Sequence, residues 1–101
     1  MSRVPPAVVA AVLERAASYC EACGWAAAGK MDLQHRRARK RAGRADLDTA
    51  ENIIVVHHDC HMWMHRHPDE ARELGWTISE WDPRADADVP VRVDPRCRSN
   101  R

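Results

Sequence analysis

The residues best suited to chemistry lie in two short stretches. Asn52-Ile-Ile-Val-Val-His-His-Asp-Cys-His-Met-Trp-Met-His65 is too rich in histidine and cysteine for ordinary core, and Cys20-Glu-Ala-Cys23 precedes it. The Cys-x-x-Cys offers two thiolates at the spacing a tetrahedral zinc site uses, and His57-x-x-Cys60 offers a matching second pair. A structural zinc needs only four ligands, so His61 and His65 remain for a second, more open metal position where chemistry can occur. If the segment after Asp59 is helical, His61 and His65 stand one turn apart on one face and can grip a single ion.

The elements that must position these groups can be read around them. Pro5-Pro6 followed by Val8, Val9, Val12, Leu13 and Ala16 predicts an amphipathic N-terminal helix within residues 5–19. Cys20 to Gly24 reads as a zinc knuckle whose glycine lets backbone amides approach sulfur. Met31 and Leu33 alternate with Asp32 and Gln34 as in an edge strand ending at His35, and Ile53 to Val56 is a β-branched block expected to be a buried strand. The polar run 36–50 between them is expected to be a surface loop. Asp59 is expected to cap a helix over residues 60–66, and Pro68 to open a further short helix stopped by Gly75. Residues 76–78 and 89–93 suggest two small strands around a turn at Trp81. Trp25, Trp63, Trp76 and Trp81 are all read as core or hinge aromatics.

With 101 residues, the chain is expected to form one domain with one small core that a metal staple would help fold. Net charge is +1, but residues 30–44 carry Lys30, Arg36, Arg37, Arg39, Lys40, Arg41 and Arg44 against Asp32 alone. The basic charge is thus focused on one segment. Four cysteines without a secretory signal or a long apolar run fit a reducing, cytoplasmic setting and no membrane partner. Cys97 is read as a free thiol in a polar tail over residues 94–101, and His58 and His67 as solvent-exposed.

The order Cys-x-x-Cys, a histidine followed by basic residues, an asparagine before an apolar strand, then Cys-His-x-x-x-His resembles the HNH endonuclease family, in its small phage and prophage form. The resemblance covers about residues 18–68, leaving a C-terminal extension over 69–101. It implies an α+β fold, a zinc-stapled ββα-metal core with flanking short helices, and places the three-letter signature on His35, Asn52 and His61. It further implies a structural Zn²⁺ on Cys20, Cys23, Cys60 and His57, with His58 as the competitor for the histidine position.

By the same resemblance His35 is the general base, His61 and His65 hold a catalytic divalent ion (Mg²⁺, Mn²⁺, Ni²⁺ or Zn²⁺), and Asn52 aligns the loop that carries His35. Gln34 stands where the family commonly has a ligating Asp or His. It is neutral and a weaker donor, which favours a softer ion than Mg²⁺. The basic residues Arg36, Arg37, Arg39, Lys40, Arg41 and Arg44 are expected to clamp DNA phosphates without reading sequence. The implied activity is metal-dependent hydrolysis of DNA phosphodiester bonds. The alternatives are a zinc-stapled nucleic-acid-binding module without turnover, and a nuclease subunit that works only within a phage terminase or packaging assembly.

Overall fold

The computed structural model describes residues 4–38 and 45–99. Helix α1 spans Pro6–Ala16, strand β1 Met31–His35, strand β2 Ile53–His57, helix α2 His58–Arg66, helix α3 Pro68–Glu73 and helix α4 Arg96–Ser99. Single 3₁₀ turns occupy Ala45–Leu47, Ala50–Asn52 and Asp86–Asp88. No helix among the described residues is long and apolar enough to cross a membrane.

β1 and β2 pair antiparallel, with Met31 opposite His57 and His35 opposite Ile53. β2 is buried along its whole length, which explains its unbroken β-branched run. Its alternate residues serve two layers. Ile53 and Val55 pack with Val12 and Ala16 of α1, while Ile54 and Val56 join Cys20, Cys60, Trp63, Met64, Leu74 and Trp76 in the larger cluster. The same alternation on β1 sends Leu33 toward α1 and Asp32 toward α2. The knuckle docks on the far edge of β2 through Glu21, whose backbone N–H reaches the Val55 carbonyl at 2.9 Å and whose side chain accepts from the Val55 N–H at 3.0 Å.

Helix α2 begins two residues earlier than Asp59 would dictate, directly at the end of β2, with His57 in the cap position. Asp59 sits inside the first turn, where its charge suits the helix dipole. Two strands expected after Gly75 do not form. Residues 76–78 contribute one isolated bridge, Arg37 to Ile78, and the remainder is extended chain and turns held by side chains. Gly75 has φ +76°, and a Cβ there would lie 1.9 Å from the Pro90 carbonyl oxygen. Only glycine can end α3 while the C-terminal segment passes that close.

The segment expected to be a loose tail carries α4, and Cys97 is buried on it with its Sγ 3.0 Å from that of Cys60. The four tryptophans expected as core or hinge aromatics divide. Trp63 and Trp76 are core, whereas Trp25 and Trp81 are exposed.

Candidate functional site

Cys20, Cys23, His57 and Cys60 converge in a buried cluster at the junction of the knuckle, the hairpin and α2. The separations are 3.9 Å between the sulfurs of Cys20 and Cys60, 3.4 Å from Cys23 Sγ to His57 Nδ1, and 4.0 Å from Cys60 Sγ to the same nitrogen. Ligands about 2.3 Å (sulfur) and 2.0–2.1 Å (nitrogen) from one tetrahedral ion stand roughly 3.5–3.8 Å apart, so the donor set fits zinc. Backbone amides of Cys23 and His57 point at Cys20 Sγ, and that of Trp25 at Cys23 Sγ. His57 Nε2 donates to the Ala26 carbonyl at 3.0 Å, which leaves Nδ1 as the ligand.

Without an ion the cluster holds its protons. The contact with Cys60 and burial push the Cys20 thiol up to about 12. For Cys60 the bond with Cys20 acts downward, but Cys97, burial and the neighbouring sulfurs outweigh it, and its thiol also rises to about 12. A divalent cation entering here therefore displaces protons.

The second cluster is built on Asp32. Its Oδ2 lies 2.7 Å from His58 Nδ1 and 2.9 Å from His61 Nδ1. Burial acts to raise the Asp32 carboxyl, yet the bonds from His61 and His58 hold it below its ordinary value. An ionised Asp32 requires Nδ1–H on both rings, so both Nε2 atoms face outward. His61 Nε2 stands 3.3 Å from His65 Nε2, with ring centroids 4.9 Å apart. Two imidazole nitrogens on one tetrahedral ion lie about 3.3 Å apart. Asp32 then completes the carboxylate–imidazole arrangement that orients metal-binding histidines. Asp32, His58 and His61 also bring three potential ligand atoms within 4.8 Å of one another. His61 belongs to both arrangements.

His35 closes β1 and is half-buried, its Nε2 2.8 Å from Oδ1 of the buried Asp48. It lines a cleft together with Gln34, Met64, His65, Arg72 and Trp81. Asn52, fully buried, spans the connection between the strands. It accepts the Arg37 N–H at 2.7 Å through Oδ1, and its amide donates to the Arg37 carbonyl at 3.0 Å and the Leu47 carbonyl at 2.9 Å. The two ends of the interstrand connection are thereby locked beside His35.

Several expected placements change. Arg36 does not lie on a surface loop. It is buried, with Nε on the Gly75 carbonyl at 2.7 Å, Nη1 on those of Glu51 and Asp86 at 2.9 and 3.1 Å, and Nη2 on that of Val89. Arg37 is likewise engaged, bonding the Asp86 carboxylate and the carbonyls of Ser79, Asp82 and Arg84. Both arginines are spent on the fold and are not free to clamp phosphates. Arg39, Lys40, Arg41 and Arg44 lie outside the described residues. His58 is bound to Asp32, and His67 stacks on Trp63, with centroids 4.3 Å apart. Gln34 lines the cleft, while the carboxylate beside the histidines comes from Asp32, two residues earlier on the same side of β1.

Asp32 and Asp48 escaped the sequence reading. For Asp32 the signal was its even spacing from Gln34; Asp48 sits in a polar run with no periodicity to flag it.

No protein-family model, no curated protein and no solved structure matches this chain. The structure itself defines a small α+β domain with a Cys₃His-type metal-binding cluster at a hairpin–helix junction and an Asp/His/His cluster beside it, broadly compatible with a ββα-metal arrangement. Either cluster has the donors to hold Zn²⁺ or another divalent ion.

Proposed function

We propose that this chain is a metal-dependent endonuclease of the HNH type that hydrolyses phosphodiester bonds in DNA. The observation that carries the proposal is the cleft shared by His35, backed by Asp48, and His65, backed by His61 and Asp32. A proton acceptor and one member of an imidazole pair suited to a cation, His65, thus line one open space, with His61 directly behind His65.

His35 acts as general base. With Nε2–H held by Asp48, its Nδ1 carries the lone pair that takes a proton from water as the water oxygen attacks phosphorus. Asp48 fixes the ring and stabilises the imidazolium that forms. A divalent ion on His61 and His65, with Asp32 and His58 behind them, would supply positive charge to the phosphate and to the departing 3′ oxygen. The bond from phosphorus to the 3′ oxygen breaks and that oxygen takes a proton from solvent water, leaving 5′-phosphate and 3′-hydroxyl ends. Asn52 holds the connection that sets the position of His35 and touches no reacting atom. A cytoplasmic setting and DNA as partner follow from the same proposal.

The test is supercoiled plasmid incubated with Mg²⁺, Mn²⁺, Ni²⁺ or Zn²⁺. Nicked or linear product is expected from the unaltered protein and none from His35→Ala with the zinc content of the Cys₃His cluster unchanged. Undiminished cleavage by His35→Ala refutes the mechanism. Retarded DNA with no cleavage at any metal identifies a binding module instead, and cleavage only after packaging proteins are added identifies a subunit of a larger assembly.

A further inference from the structure

Trp81 is 84% exposed, the most exposed large apolar side chain among the described residues, and it stands at the cleft that holds His35 and His65. Among the described residues no aromatic ring or guanidinium stacks on it. An indole left this open in water forgoes the burial that aromatic side chains ordinarily gain.

Its backbone, in contrast, is firmly held. The Trp81 N–H donates to Ser79 Oγ at 3.1 Å and the Asp82 N–H to the Ser79 carbonyl at 3.1 Å. Arg37 grips the turn from beneath, through the carbonyls of Ser79 at 2.6 Å, Asp82 at 3.2 Å and Arg84 at 2.9 Å. Arg84 closes the far side by pairing with Asp82 at 2.7 Å. Asn52 fixes the backbone of Arg37 in turn. The indole is an exposed plane on a pre-ordered turn, tied by one guanidinium to the connection that also bears on His35.

We infer that Trp81 is a stacking platform for a nucleobase of the strand whose phosphate enters the cleft. The inference rests on the phosphodiester reading of that cleft. A base offers a flat π-face to an indole whatever its identity, so the platform adds affinity and register without choosing sequence. Arg72, at the same cleft and more than half exposed, has among the described residues only a 3.9 Å approach to Asp69 and can offer its guanidinium to a neighbouring phosphate. Glu80 also lines the cleft, so the attraction there comes from the flat ring and Arg72 together rather than from bulk charge.

The test uses a short fluorescein-labelled single-stranded DNA oligonucleotide and a matching probe with abasic positions, titrated against His35→Ala protein so that neither is cut. The protein should bind the intact probe about tenfold or more tightly than the abasic one. Trp81→Ala should weaken intact-probe binding about 5- to 100-fold and change abasic binding by no more than about twofold, while Trp81→Phe keeps most of the affinity. Circular dichroism and zinc stoichiometry check that the fold is intact. Equal loss on both probes, no loss on either, or failure of both probes to bind overturns the platform. Cleavage of plasmid by the His35-containing protein is scored separately. Cutting that ignores Trp81 with no probe difference removes the platform and leaves the nuclease, whereas Trp81-dependent base binding without cutting does the reverse.

Discussion

Replacing Arg36 separates two accounts of the basic segment. As a phosphate clamp it would matter for DNA affinity; as the buried group described above it matters for stability. Its guanidinium donates to four carbonyls on three separated segments, at Glu51, Gly75 and the Asp86 and Val89 ends of one turn. Burial lowers its pKa from the ordinary arginine value, yet a guanidinium keeps its charge in proteins. Hydrogen bonds from a charged donor contribute about 1.5–3 kcal/mol each, so four set a ceiling of about 6–12 kcal/mol.

The net loss is smaller, because the cavity between Arg15, Glu51, Asp86 and Arg36 opens to solvent and lets water reach the abandoned carbonyls. We expect Arg36→Ala to cost about 3–5 kcal/mol, against roughly 5–15 kcal/mol for the whole fold of a domain this size. Arg36→Met keeps most of the volume without the donors and isolates the polar share, and Arg36→Lys should recover less than half because one ammonium cannot span four carbonyls. Urea unfolding at saturating zinc, followed by far-ultraviolet circular dichroism, measures each. An Arg36→Ala protein within about 1 kcal/mol of the parent, or one that loses DNA affinity with an unmoved urea midpoint, refutes the reasoning.

The remaining expectations concern single groups. His57→Ala should lose most tightly held zinc by native mass spectrometry, whereas His58→Ala should keep one zinc per chain, since only His57 faces the three sulfurs. Asn52→Asp is close to isosteric, yet it sets a carboxylate oxygen against the Arg37 and Leu47 carbonyls, and a loss of about 2–3 kcal/mol is expected in thermal or urea unfolding. Asp82 is depressed to about 2 by its bond from the Arg84 side chain, then by the Arg84 backbone N–H. A carboxylate lowered on folding stabilises the native state above its unfolded pKa and loses that contribution as pH falls through the folded one, here from near 4 toward 2. Carbon-detected NMR titration should place the Asp82 midpoint near 2, and Arg84→Ala should return it to the ordinary carboxylate range.

The parts of this fold carried by local pattern were legible in the residues. The β-branched run at Ile53, the Cys-x-x-Cys, the prolines opening α1 and α3 and Gly75 closing α3 each act within one turn or one strand. What escaped depends on distant segments. Arg36 looks like a surface charge until the carbonyls of residues 75, 86 and 89 arrive around it. Cys97 looks solitary until α4 folds back on Cys60. The C-terminal segment has the composition of strands but pairs with neither strand of the sheet, and is held instead by Arg36, Arg37 and the Trp76 Nε1 bond to the Arg92 carbonyl. In the site, the histidines announced themselves by type, while their carboxylate partners did not: Asp32 alternates with apolar neighbours as any polar strand residue does, and Asp48 lies in a polar run without periodicity.

The first turn of α2 is shared out residue by residue. His57 and Cys60 turn to the sulfur side, and their immediate successors His58 and His61 turn to Asp32. The two sets share one helical turn, so a shift of that turn moves the ligands of both. Swapping the sulfur-side ion for a larger one such as Cd²⁺ is expected to change affinity on the imidazole side, and by thermodynamic reciprocity the imidazole-side ion alters the first by the same factor.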